Sequence, residues 1–313
     1  MRTVAVIDIG SNSIKILVAA SSPDGRIVAR KLRTIEARIS QGISASAPKL
    51  GREGIARGVD AVRELAADAA AFAPERIIAV ATSAVRDASN GAEFCAQIRE
   101  AAGLEVRVLG GEEEASLIGR GLLCDPQLAG EHDFYVFDLG GGSLECLSFR
   151  DRRLAQVASL PLGCVRLTEK FVPNPALPVA AETLAAIQAY SRQVIASAGF
   201  SLANAGLAVG TGGTLTAARA RVAAQTGVGL DSVDPELPLA QLRALLGQLA
   251  ALPLAERRKI PGLPPGRADV FPAALATLIA LAEIGGFAAY RHSLYNLRWG
   301  VAAEALAATA VAT

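Results

Sequence analysis

Asp8-Ile9-Gly10-Ser11-Asn12-Ser13 follows the apolar run Val4-Ala5-Val6-Ile7, and about 130 residues later Asp138-Leu139-Gly140-Gly141-Gly142-Ser143 follows Phe134-Tyr135-Val136-Phe137. A second short apolar stretch comes after each turn, Ile14 to Val18 and Leu144 to Phe149. Each segment reads as a β-hairpin with a polar tip. Glycine lets the backbone turn its N–H groups toward a ligand with no side chain in the way. An aspartate at the strand end can hold a divalent cation directly or through its waters. One such turn is commonly structural. Two of matching composition point to a duplicated domain closing over a phosphate chain.

The 313 residues give room for two domains, each with its own core. Apolar residues make up 51% of the chain, a figure that alanine inflates. The most apolar segment, Phe271 to Ala282, stops at Glu283, well short of the roughly 20 residues that cross a bilayer. No membrane association is expected. The N-terminus carries one arginine and then a strand with an aspartate in it, which is not a signal-peptide pattern. Cys95, Cys124, Cys146 and Cys164 show no C-x-x-C spacing, so neither a zinc site nor a disulfide framework is indicated. The cytoplasm is the expected location.

A net charge of +1 argues against a general nucleic-acid binder. A polyanion would have to be held by a local basic lining. His132 and His292 are the two histidines and neither stands in a motif, which argues against a Ser-His-Asp triad or a histidine-rich metal centre. Proton transfer then falls to a carboxylate.

Strands and helices alternate along the chain. After the first hairpin a strand is expected around Arg26 to Leu32 and a helix from Arg52 to Phe72, with Ile55, Val59, Val62 and Ala66 on one face. Arg76 to Ala81 reads as a strand, Gly91 to Ala102 as a helix, Leu104 to Leu109 as a strand and Glu112 to Leu123 as a helix. The second half repeats the order, with a strand over Leu154 to Leu160, a helix over Ala180 to Ala198 and a strand over Gly206 to Val209 before a glycine turn and a helix. Helices near Leu239 to Leu249 and Arg267 to Ile284, a short strand at Ser293 to Asn296 and a terminal helix from Arg298 complete the pattern. Such alternation means α/β layers. Glycines, Pro126 and polar residues place the junction within Gly119 to Asp133. The expected domains are 1–118 and 119–297, with the terminal helix 298–313 able to pack back on the first.

The two Asp-x-Gly turns resemble the phosphate-1 and phosphate-2 loops of the actin, sugar-kinase and heat-shock ATPase fold. The wider set is similar to the exopolyphosphatase and guanosine pentaphosphate phosphohydrolase family. Its pieces are Asp8 to Ser13, Ala81 to Arg86, Gly111 to Ala115, Asp138 to Glu145, Pro161 to Glu169, Gly210 to Thr214, Arg267 to Asp269 and Leu297 to Gly300. They come in the family's order and cover nearly the whole chain. The resemblance implies two duplicated ribonuclease-H-like (actin-like ATPase) domains with an interdomain cleft. It also implies removal of the terminal phosphate from a polyphosphate chain with a divalent metal, Mg2+ or Mn2+. The C-terminal helical domains of longer members lie outside this sequence, so short chains are the expected substrates.

Hydrolysing a phosphoanhydride needs a positioned water, a base, metal charge and donors around the transferred group. Glu114, in Gly111-Glu112-Glu113-Glu114-Ala115, is the candidate base and matches the family's catalytic glutamate. All three acids would equally serve a helix start, where the dipole favours negative charge. Arg86 stands where the family places a phosphate-neutralising arginine, and a planar guanidinium suits that task. Asp138, the Gly140 carbonyl, Ser143 and Glu145 form the metal set, matching family positions, and oxygen ligands suit a hard cation. Alternation is expected to put Ser143 and Glu145 on one side of a strand. Asp8, Gly10, Ser11, Asn12, Ser13, Gly141, Gly142, Ser143, Gly212, Gly213 and Thr214 are the phosphate-binding candidates. The turn Gly210 to Thr214 follows a strand and opens a helix, so its N–H groups make an anion site or an ordinary connection. Arg166, Lys170, Arg267 and Arg298 are candidates to line the path of a chain substrate.

Three classes of function follow: an exopolyphosphatase that can also cleave guanosine pentaphosphate, an ATP-dependent kinase of the same fold, and a non-catalytic nucleotide-driven clamp. The expected partners are inorganic polyphosphate or guanosine pentaphosphate, with a homodimer left open and no nucleic acid or membrane.

Overall fold

The computed structural model describes residues 2–40, 48–202 and 206–308. Two compact units divide the chain, Met1–Gly130 with Tyr295–Thr313 and then Glu131–Leu294.

In the first unit β1 (Thr3–Ile9) and β2 (Ile14–Ser21) form the first hairpin and β3 (Ile27–Ile35) extends it. Then come α1 (Arg52–Ala70), β4 (Arg76–Ala81), the short α2 (Ser83–Arg86), α3 (Gly91–Ala102), β5 (Val106–Val108) and α4 (Gly111–Leu122). The sheet order is β3-β2-β1-β4-β5. β1 is antiparallel to β2 and parallel to β4. Ala5, Ile7 and Ile9 pack with Ile55, Val62, Phe94 and Ile98 of α1 and α3. Val4 and Val6, which point to the other face, are also buried. A strand buried on both faces reads as an unbroken apolar run.

The second unit holds β6 (Phe134–Leu139), β7 (Leu144–Arg150), β8 (Arg153–Leu160), α5 (Cys164–Phe171), α6 (Ala181–Ser197), β9 (Leu207–Thr211) and α7 (Gly213–Thr226). It continues through β10 (Glu236–Pro238), α8 (Leu239–Ala250), α9 (Leu254–Arg257), α10 (Phe271–Gly285) and β11 (Ala289–His292). Its sheet runs β10-β11-β9-β6-β7-β8. An antiparallel β6-β7-β8 meander continues through parallel β9 and β11, the order already met in the first unit. The fold is α/β and duplicated, with ribonuclease-H-like strand order in both units. Every residue of α10 from Phe271 to Ala282 is buried, so its unusual apolarity belongs to a core helix. Among the described residues no helix is long and apolar enough to cross a membrane.

Two expectations need correction. The domain bound at 118/119 falls inside α4, a continuous helix, and the chain passes between units at Gly130/Glu131, within the expected segment Gly119 to Asp133. The last short strand is Ala289–His292, not Ser293 to Asn296. Gly286 ends α10 in the left-handed region (φ 66°), which turns the chain early and lets Tyr290 and His292 fall on buried strand positions.

The terminal helix α11 (Leu297–Ala308) belongs to the first unit and packs on β1, β2 and α4. Residues 309–313 of the expected helix lie outside the described residues. Its crossing with α4 is backbone on backbone. A Cβ on Gly300 would lie 1.8 Å from the Leu117 carbonyl oxygen, and one on Gly121 would lie 2.1 Å from that of Asn296. Neither neighbour is a side chain that could swing aside. Gly300→Ala is therefore expected to lower stability by about 1–3 kcal/mol, the usual cost of overpacking. Urea denaturation reads this directly, and an unchanged midpoint would mean that the helices part without cost.

Candidate active site

The two glycine turns close in the same way. Gly10 N–H donates to Ser13 O at 3.2 Å, and Gly140 N–H donates to Ser143 O at 2.9 Å. In both, the carbonyls of the loop are tied to a neighbouring segment. Arg38 N–H donates to Asn12 O at 2.9 Å, and both the N–H and the hydroxyl of Ser40 reach Ser11 O. In the second turn the start of α5 does this work. Cys164 N–H donates to Gly140 O at 3.0 Å, Val165 N–H to Gly141 O at 2.9 Å, and Arg166 Nε–H to Gly142 O at 3.0 Å. Gly163 lies so close beneath that a Cβ there would sit 2.2 Å from the Gly142 carbonyl carbon. Each peptide is planar with its C=O and N–H opposed. Carbonyls held on one side therefore commit the following N–H groups to the other, the arrangement by which backbone concavities can hold an anion.

Register separates the two turns chemically. Asp8 stands opposite Lys15, and Asp138 stands opposite Glu145. Directly opposed residues share a face of the sheet, so the second hairpin juxtaposes two carboxylates where the first offers one and a cation. Glu145 is 2% exposed and accepts from Ser159 Oγ at 2.9 Å. Ser143 precedes β7 and lies in the turn, so the expected strand alternation with Glu145 does not apply. The Gly140 carbonyl already accepts from Cys164, which leaves its remaining lone pair for an ion. Among the described residues there is no cluster of three or more histidine, cysteine, aspartate or glutamate side chains that could hold a metal. The donor set fits a magnesium-type ion, which keeps waters and shares substrate phosphate oxygens. It does not fit an all-protein cage of the zinc kind.

β9 ends beside Asp138 in the parallel register Asp138↔Thr211. Gly212 has φ 91°, and a Cβ there would lie 2.4 Å from Asp138 Oδ1. Gly213 and Thr214 open α7 and are packed by the buried Arg267, whose Nη1 would sit 2.5 Å from a Cβ on Gly213. The second unit thus gathers Asp138, Glu145, Ser143, Gly141, Gly142 and the Gly212–Thr214 turn at adjacent ends of β6, β7 and β9.

In the first unit α4 resolves its three acids. Glu112 is exposed. Glu113 accepts from the Gly110 N–H at 3.2 Å and from Arg107 Nε at 3.0 Å. The Arg107 guanidinium holds the Glu113 carboxyl below its ordinary range. Glu114 is 6% exposed, and Arg86 Nη1 lies 3.0 Å from its Oε2. The same nitrogen donates to the Leu109 carbonyl at 2.8 Å. Helical rotation sends consecutive acids to solvent, to the helix start and to the interior. Asp8, Ser11, Asn12 and Ser13 are buried as well, and Asn12 Oδ1 and Nδ2 have no partner.

The cations named for a substrate path are otherwise engaged. Arg166 binds the Gly142 carbonyl, Lys170 lies 3.9 Å over the Tyr190 ring, Arg267 packs on Gly213, and Arg298 Nη1 donates to Ile16 O at 3.0 Å. Cys146 and Cys164 are buried, and burial pushes both thiols up. Sequence reading assigns Gly163 no role of its own, although it lies in the Pro161 to Glu169 piece, and misses Ser159. The Pro161-Leu162-Gly163 break between a strand and a helix was the available signal for the first.

A model of the Ppx/GppA phosphatase family matches residues 17–308. The crystal structure of an Aquifex aeolicus member of the Ppx/GppA family is 26% identical, with 98% of each chain covered and a TM-score of 0.77. An exopolyphosphatase from Cytophaga hutchinsonii is similar in fold at 24% identity, 98% coverage of each chain and a TM-score of 0.87. An exopolyphosphatase-like protein is similar in fold at 24% identity, 97% coverage of each and a TM-score of 0.88.

Gly212→Ala tests the Gly210–Thr214 turn. The substitution places a side chain at φ 91° and against Asp138, where strain and displacement both act. Affinity for inorganic phosphate, measured calorimetrically, is expected to fall about tenfold or more with the circular dichroism spectrum unchanged. Equal affinity in the variant would remove this turn from the anion site.

Proposed function

The chain belongs to the Ppx/GppA phosphatase family, and from that premise we propose that it is a metal-dependent exopolyphosphatase. It releases the terminal orthophosphate of inorganic polyphosphate, and it accepts guanosine pentaphosphate through the same terminal anhydride. The observation that carries the reading is the buried Glu114 paired with Arg86. A carboxylate in this position is withdrawn from solvent water, and the guanidinium balances a charge that burial would otherwise leave uncompensated. Glu114 takes a proton from a water as the water oxygen attacks the terminal phosphorus. The anhydride P–O bond breaks, and its electron pair leaves on the shortened chain. Arg86 has five N–H donors, so a contact to Glu114 through Nη1 is compatible with stabilising negative charge on the transferred phosphoryl group.

In the second unit the N–H groups of Gly141, Gly142, Gly213 and Thr214 are the proposed donors to phosphate oxygens, and in the first unit the polar tip Ser11-Asn12-Ser13 is proposed for the same role. A magnesium or manganese ion held by Asp138 and Glu145 beside Ser143 would supply positive charge to those oxygens.

Glu114→Gln keeps the shape of the side chain and removes the base. Release of orthophosphate is expected to slow by about 10²–10⁴ while polyphosphate binding is retained. Chelation is expected to stop the wild-type reaction and added magnesium to restore it. Near-normal turnover in folded Glu114→Gln protein would refute the base, and metal-independent turnover would refute the cofactor.

Short chains are the proposed substrates. Arg166, Lys170, Arg267 and Arg298 make internal contacts, and a net charge of +1 provides little long-range attraction for a polyanion. Catalytic efficiency against chains of defined length is expected to level off after the first few phosphates. A continuing rise toward chains of hundreds of units would reveal an extended basic surface.

A further inference from the structure

His292, at the end of β11, is 1% exposed and stands outside every motif that the phosphatase reading uses. Its Nε2 lies 3.0 Å from Thr216 Oγ1, and Thr216 Oγ1 lies 2.8 Å from the Gly212 carbonyl oxygen. Proton count orders the three atoms. A carbonyl oxygen only accepts, so the single hydroxyl proton of Thr216 goes to Gly212 O. The hydroxyl oxygen must then accept from His292, which puts the imidazole proton on Nε2. Nδ1 is left as a lone-pair acceptor, and it is buried without a partner. A proton there would have no acceptor. Burial, reinforced by the nearby Arg219, pulls the imidazole down to about 4.

A threonine hydroxyl bonded to the carbonyl four residues back is a common helical feature. The buried imidazole behind it is what distinguishes this one. Thr216 N–H also reaches Gly212 O, at 3.2 Å, so that oxygen is held by two donors from one direction. Gly212 O and Gly213 N–H belong to the same planar peptide and point oppositely. Fixing the oxygen toward Thr216 aims the Gly213 N–H outward from the start of α7, where a helix offers its unpaired donors to an anion. Gly212 has no side chain to restrict its own rotation, so the aim has to come from such outside contacts.

We propose that His292 and Thr216 are positioning residues, a relay from a buried imidazole through a hydroxyl that holds the Gly212–Gly213 peptide with its N–H directed at a bound phosphoryl group. This rests on the reading of the Gly210–Thr214 turn as a phosphate-binding element.

The test uses tripolyphosphate and magnesium with the full chain. Calorimetry is expected to show about tenfold weaker binding for Thr216→Val and for His292→Leu. The double variant is expected to bind no more weakly than either single one, because both remove one relay. His292→Gln, which can place an amide N–H near the Nε2 position, is expected to recover most of the loss. A purely structural role would shift melting temperatures without this non-additivity or rescue. Unchanged affinity in Thr216→Val, or losses that add, would overturn the proposal.

Nitrogen NMR of the imidazoles is an independent check. The chain has two histidines, and the one that stays neutral at pH 5 is expected to be His292 with its proton on Nε2. A proton on Nδ1 would overturn the relay whatever the protein hydrolyses. Wild-type protein that carries the Nε2–H form yet ignores tripolyphosphate would instead sink the phosphatase reading, and the positioning role with it.

Discussion

The candidate site depends on carbonyl oxygens being held to one side of each glycine turn. A glycine turn has conformational freedom that a ligand would have to remove on binding, and that freedom is costly to lose. Here it is removed in advance. Segment 38–40 ties the first turn through Ser11 O and Asn12 O, and the first N–H groups of α5 tie the second through Gly140 O and Gly141 O. Because peptide units are planar, each tied oxygen directs an N–H the opposite way. The same bonds also satisfy the helix start of α5, whose first donors have no intrahelical acceptor. One set of contacts therefore caps a helix and shapes a loop, which explains why Gly163 has no room for a side chain.

Duplication supplied the scaffold, and single residues differentiated it. The closing bond from glycine N–H to serine O and the strand order recur in both units. The cross-strand partner of the aspartate does not, being Lys15 in one hairpin and Glu145 in the other. A cation beside Asp8 lowers the local negative charge, whereas Glu145 beside Asp138 doubles it. Hard divalent ions follow the carboxylate pair. The register thus agrees with the second hairpin as the proposed metal site, the one the family resemblance implies.

Much of the fold was legible because its signals are short-range. Unbroken apolar runs marked β1, β2, β6 and β7, and periodicity marked α1, with Arg76–Ala81 and Gly91–Ala102 read at their observed limits. Two boundaries differ. The expected end of α10 lies within one residue of the observed one, but the last strand follows it after three residues, at Ala289, sooner than the expected Ser293. The domain bound at 118/119 overlooked that Gly119 and Gly121 sit within α4, where Gly121 permits α11 to approach as backbone. Glycine was read as a break where it serves as a contact, and only the partner's position distinguishes the two. The candidate site was legible in its residues but not in their partners. The sequence shows three adjacent acids; only the helix shows that Glu113 holds the Gly110 N–H and Arg107 while Glu114 turns inward to Arg86. Lys170 looked like part of a basic path, yet its ammonium sits over Tyr190, twenty residues away in the sequence.

Asn12 is the buried side chain of the first turn that the protein's own contacts leave unpaired. Its side chain is 4% exposed, and neither amide atom has a hydrogen-bond partner. A buried polar group left unpaired costs about 1–3 kcal/mol, which is a substantial fraction of the stability of an ordinary domain. The bonds from Arg38 and Ser40 to the loop carbonyls oppose opening of the turn. A phosphoryl oxygen reaching Nδ2 would form a charge-assisted hydrogen bond and relieve the unpaired donor without moving the backbone. The loop would then gain a contact on binding while losing little freedom, because its freedom was already spent in folding. Rigidity of the tied carbonyls and the unpaired side chain of Asn12 thus belong to one arrangement of the turn.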